Sequence, residues 1–169
     1  MLTLMMFLAG LQAPPAAGDP LAPARAGKLQ CHAPNAASKS CRSLASYMFA
    51  PDGSISNKAE VLLAPQMGLI MTVTSPVTVK DGAVCGALSG IDKATFVMNG
   101  QPADQATTDA IRQQIGQAMA PMLGKQVCTT YKPDGEGFIA SATIDGQSAP
   151  GGDQKVIWVA PTDGYKVAP

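Results

Sequence analysis

The chain has 169 residues, twelve basic and twelve acidic, so its formal net charge is zero. Charged residues make up 14% of it, against roughly 25% in an ordinary soluble domain. With so few charges and no basic cluster, the chain has no electrostatic footprint for nucleic acid or an anionic membrane surface.

Residues 1–18 read as a secretory signal peptide. Met1 to Leu11 carries no charge and a single polar side chain, Thr3, a run too short to span a bilayer. Ala16-Ala17-Gly18 suits a peptidase that reads small residues, better than Leu11-Gln12-Ala13 with Pro14 after it. The usual cationic start is missing, since the first basic residue is Arg25. Residues 19–37, rich in Pro, Ala and Gly, read as a flexible tether. Residues 38–169 then form a single domain, and no transmembrane span is expected once the leader is removed.

Within that body, Ser40 to Tyr47 suits either a short helix or a strand ending at Pro51-Asp52-Gly53. Leu69 to Thr74 reads as a strand before Pro76, and Val77 to Val79 turns at Asp81-Gly82 into Ala83 to Cys85. A helix is expected over Thr107 to Leu123, capped by Thr107 or Thr108, with Ile111, Ile115, Met119, Met122 and Leu123 on its buried face and Pro121 distorting its end. Three more strands follow: Val127 to Tyr131, Phe138 to Ile144 and Val156 to Val159. Asp-Gly occurs five times and Asn99-Gly100 adds a sixth Asx-Gly pair. Such pairs tolerate the positive φ of tight hairpins and mark reversals of the chain. The expected fold is α+β: a mostly antiparallel sheet packed against one long helix and stapled by disulfides.

Cys31, Cys41, Cys85 and Cys128 are read as structural disulfides. Four cysteines allow three pairings and the sequence alone does not choose among them; the preferred one takes Cys31–Cys41 as a local clasp and Cys85–Cys128 as a staple between two strand-like runs that flank the helix. Widely spaced thiols without a Cys-x-x-Cys argue against redox chemistry or zinc. His32, the lone histidine, falls in the Pro/Ala-rich entry and reads as an exposed loop residue, a poor place for a catalytic base. Gly135-Glu136-Gly137-Phe138-Ile139-Ala140 matches a dinucleotide fingerprint in letters only, because a turn precedes it and a strand follows. Each turn Asp is isolated, which fits turn chemistry rather than calcium. Met67/Met71 and Met119/Met122 have spacings that suit Cu(I), although thioethers among apolar neighbours ordinarily fill cores. Trp158 and Tyr165 near the C-terminus offer a candidate binding edge, although such residues more often end a final strand and close the core, which is the favoured reading.

No catalytic motif emerges, and no cofactor or metal is expected. The functional expectation is a periplasmic or secreted, non-catalytic module of the cell envelope that binds an unknown protein or small ligand. The alternatives are a hydrolase whose site assembles from scattered Asp, Ser and Tyr residues, and copper carriage by Met and Cys.

Overall fold

A computed structural model describes residues 18–149 and 151–169; the expected leader lies outside them, apart from Gly18. A helical turn, α1 (Ala22–Arg25), precedes the strands β1 (Leu29–His32), β2 (Ser40–Cys41), β3 (Ser43–Phe49), β4 (Ile55–Ala64), β5 (Leu69–Lys80) and β6 (Ala83–Ala87). Short strands β7 (Thr95–Met98) and β8 (Gln101–Pro102) lead into the helix α2 (Gln105–Met119). The strands β9 (Gln126–Asp134), β10 (Gly137–Ile144), β11 (Gln147–Ser148), β12 (Gln154–Val159) and β13 (Lys166–Val167) follow.

Eight of these strands close on themselves. Strands β1, β3, β4, β5, β6, β9, β10 and β12 each pair antiparallel with the next, and β12 returns to β1. The fold is therefore a mostly-β, up-and-down barrel, which corrects the α+β expectation. Two segments make the difference. Residues 19–37, read as a tether, supply α1 and the closing strand β1; residues 55–64, not read as a strand at all, supply β4. An open sheet would need its faces covered, whereas closure removes both edges and buries one face inside the barrel.

Register assigns that inner face without ambiguity, because directly opposed residues of an antiparallel pair share a side. From Gln30 and His32 the inner set passes through Ser43, Ala45 and Tyr47 to Asn57 and Ala59, then Val73, Ser75 and Val77. On the far side it runs through Val84 and Gly86, Val127, Thr129 and Tyr131, then Ala140 and Ala142, and returns through Val156 and Trp158. The outward rows carry Lys58, Glu60, Thr72, Thr74, Thr130 and Lys132.

Two structures cover the barrel's inner face beyond its middle. Leu21, fully buried at the start of α1, packs with Ala24 and Val84 against Tyr47, Phe49, Ile55, Val77, Tyr131 and Trp158. On α2, Ile111 and Ile115 pack on a second core of Leu69, Met71, Ala94 and Phe96, which also includes Val61 and Val73. Asp104, not Thr107 or Thr108, caps α2, accepting from Thr107 N at 2.7 Å. The helix gives way to a 3-10 turn at Ala120–Met122, around Pro121, and Leu123, expected on the buried face, is exposed.

The turn pairs behave as their chemistry requires. Both residues of Asp81-Gly82, Asn99-Gly100 and Asp145-Gly146 take positive φ, and each closes a two-residue hairpin. Pro76 does not end β5, contrary to expectation. Its carbonyl faces Gly86, so its nitrogen also points away from β4. On that side β6 pairs only with Thr78 to Lys80, and no ladder hydrogen bond is lost.

The disulfides are Cys31–Cys41 and Cys85–Cys128. Cys85 and Cys128 are direct cross-strand partners on β6 and β9, and closing their 43-residue separation contributes about 4 kcal/mol in the chain-entropy account. The Cys31–Cys41 clasp lies outside the barrel wall, buried with Val159 beneath Leu29, Leu44, Ile157 and Tyr165. There β13 pairs in parallel with β2 and holds the C-terminal segment down.

Candidate functional site

Inside the barrel lies a cavity of about 280 Å3. The inner face makes room for it by using small side chains, Ala45, Ala59 and Gly86, where larger ones would fill the lumen. Eight strands leave an interior that side chains fill completely or that holds one small ligand, and here it is incompletely filled. Val73, Val77, Val84 and Val127 line the cavity together with a polar group drawn from β1, β3, β4 and β9: Gln30, His32, Tyr47, Asn57, Thr129 and Tyr131. Ala87, at the end of β6, lines the cavity and is itself exposed, which puts an opening to solvent there. No Asp, Glu, Lys or Arg is among the lining residues.

The wall beside that opening depends on close backbone approach. Where β5 runs on past its pairing with β6, the segment 87–90 completes the wall, and the Ser75 hydroxyl donates to Ser89 O at 3.0 Å. Gly90 has φ +82°, and a Cβ there would stand 2.5 Å from Thr74 O. Both the conformation and the space call for glycine.

Gln30 is the centre of the polar group. It is 1% exposed, and its Oε1 accepts from Tyr47 Oη at 2.9 Å. His32 Nε2 lies 3.2 Å from the same oxygen, which fits the tautomer that carries its proton on Nε2. Both lone pairs of the oxygen are thereby used. The nitrogen is not: Gln30 Nε2 is buried with no hydrogen-bond partner. A buried donor left unmet costs about 1–3 kcal/mol, and native interiors rarely tolerate one without a reason.

Burial dominates the titration of this group. It lowers the pKa of His32, against a smaller opposing contribution from its hydrogen bond to Gln154, so the imidazole is neutral near pH 7. Burial likewise raises Tyr47 well above the ordinary phenol range, with Tyr131 adding to the effect. Tyr131 is also raised by burial, while the nearby Gln30 amide and Tyr47 partly offset it. The site thus presents uncharged donors and acceptors on one part of its wall and valine on the rest.

Several residues singled out in the sequence fall elsewhere. His32 is not an exposed loop residue: it belongs to a barrel strand and lines the cavity. Trp158 points inward, with its ring 6.2 Å from that of Tyr47, whereas Tyr165 packs outside the wall, so the two do not form one edge. All four cysteines are in disulfides and hold no free thiolate. Met71 and Met98 lie in the apolar core under α2, while Met48 and Met67 are exposed. Among the described residues, no cluster of three or more His, Cys, Asp or Glu side chains is placed to hold a metal. Gly135 to Ala140 forms the hairpin between β9 and β10.

Sequence reasoning missed Gln30, Asn57 and Thr129 entirely. The available signal was period-two alternation in 29–32 and 55–61, which is hard to see when the inward positions are Gln, His, Asn and Ala.

No family model, curated protein or solved structure matches this chain.

Proposed function

We propose that this protein is a non-catalytic binding module of the periplasm or the extracellular space, and that its ligand is a small molecule held in the barrel. The observation that carries the reading is the incompletely filled lumen, walled by valines and uncharged polar side chains. Ordinary packing would fill such a lumen with larger side chains. A ligand accounts for that departure. The compartment is supported by the apolar leader and by two disulfides, a combination at home in oxidising surroundings. No described helix is long and apolar enough to cross a membrane. A hydrolytic site would use a carboxylate to orient His32, and the turn Asp residues lie away from the lumen.

The test is a thermal-shift screen of small organic molecules on the disulfide-intact protein, repeated on Ala59→Leu, which fills the cavity from β4. Hits that stabilise the native protein and are lost in the filled variant support the reading. Hits indifferent to the filling, or none at all, overturn it.

A further inference from the structure

We infer that Asn57 is the residue that selects the ligand, and that the ligand offers it a neutral amide edge, an N–H beside a C=O as in a lactam, carried on an apolar frame. This rests on the reading of the barrel as a ligand-binding module and adds the group that such a ligand carries.

Position and accessibility single out Asn57 among the polar residues of the wall. Its ladder partners, Tyr47 on β3 and Ser75 on β5, share its side of the sheet, and all three line the cavity. Asn57 is half-buried, and the surface that an inward side chain keeps open in a closed barrel faces the lumen. Gln30 Nε2 is the one side-chain nitrogen or oxygen that is both sealed from water and unpartnered among the described residues. Asn57 Oδ1 receives no hydrogen bond from those residues and is not sealed off, so it is open to water. The amide nitrogen has the Tyr47 hydroxyl beside it, which takes only one of its two N–H bonds.

The chemistry of the carboxamide sets the matching group. It holds an acceptor and a donor side by side, and the edge that meets both at once carries a donor beside an acceptor in the reverse order. A lactam or an imide does so without charge. A carboxylate offers acceptors alone, and with no cationic side chain in the lining it would give up its hydration without a counter-charge. A ketone or ester meets only the N–H and leaves Oδ1 dehydrated without a partner, the kind of mismatch that a polar site rejects most strongly. Val73, Val77, Val84 and Val127 face the rest of the ligand, so its frame is apolar. A volume of about 280 Å3 at ~30 Å3 per water-sized group admits roughly ten non-hydrogen atoms.

Probes matched on one bicyclic frame test the assignment. Oxindole carries the lactam edge, N-methyloxindole has its donor blocked, 2-indanone keeps the carbonyl alone, and indane has no polar atom. Titrations of the isotope-labelled, disulfide-intact protein are followed by NMR through the Asn57 side-chain amide and the lining valine methyls. Oxindole is expected to bind about tenfold tighter than 2-indanone or N-methyloxindole, the factor for one further hydrogen bond, and to move the Asn57 amide signals. In Asn57→Ala that preference collapses while indane still binds. Should the variant fail to fold, N-methyloxindole and 2-indanone on the native protein carry the same test. Equal binding of oxindole and its two analogues, a preference that survives in Asn57→Ala, or oxindole that binds without moving the Asn57 amide overturns the inference. Indane in the cavity would then leave the ligand-binding reading standing. If no probe moves the cavity signals, the inference falls, and the thermal-shift screen with Ala59→Leu decides the broader reading by itself.

Discussion

Leu21→Ala separates a barrel plugged by its own N-terminal segment from one merely trailing a tether. Leu21 is fully buried, and its cluster joins residues from six barrel strands, through Tyr47, Ile55, Val77, Val84, Tyr131 and Trp158. Truncating a buried leucine costs roughly 2–5 kcal/mol, and the position within that range depends on how far the surroundings collapse into the gap. The barrel wall is held by hydrogen-bonded ladders and cannot follow, but α1 is one turn long and can settle. The expected cost is therefore about 3 kcal/mol, which in a protein of this size lowers Tm by about 6–12 °C. Guanidinium denaturation followed through Trp158, the only tryptophan and a member of the same cluster, measures it. Leu123→Ala, at a side chain 45% exposed, serves as the control and should stay within about 0.5 kcal/mol of the native protein. If Leu21→Ala is as mild as its control, segment 19–28 is a tether after all and the plug is no part of the core.

Gly90→Ala should cost about 2 kcal/mol or more, since it combines a left-handed φ with a 2.5 Å approach to Thr74 O. Gly100→Ala has the same strain in open space and should cost about half as much; equal losses in urea denaturation would discount the backbone contact. His32 makes stability fall with acid. Its folded pKa lies below the ordinary value, so below about pH 6.5 the unfolded chain takes up a proton that the folded chain refuses, and stability drops by up to about 1.4 kcal/mol per pH unit until the folded pKa is passed. Urea midpoints at about pH 7.5 and 5.5 should show this loss in the native protein and a smaller one in His32→Gln; equal losses would mean that His32 is freely solvated.

Local chemistry made much of the wall legible before the fold was seen. Strands rich in Val, Ile and Thr with bounded turns were visible at 69–74, 127–131, 138–144 and 156–159, because their inward residues are apolar or their composition strongly favours extension. The Asp-Gly and Asn-Gly hairpins were legible for a similar reason: positive φ is a property of two residues and needs no tertiary partner. The preferred cysteine pairing also rested on local grounds, with Cys85 and Cys128 each inside a strand-like run.

Closure was not legible. It depends on β1 pairing with β12 across more than a hundred residues of chain, and no local pattern announces a contact so distant. The segments that complete the barrel are also the ones that carry the cavity. Gln30, His32, Asn57 and Ala59 occupy positions where a filled core would show Val or Leu, so the same polar and small residues that make room for a ligand erased the alternation that would have revealed the strands. Composition and turn chemistry by themselves determined a disulfide-bonded chain of hairpins with one capped helix. Only the tertiary structure decided that the hairpins close into a barrel, that Leu21 plugs it, and that a cavity is left inside. Those outcomes depend on which residues meet across the barrel, and pairing at that distance is a property of the whole chain.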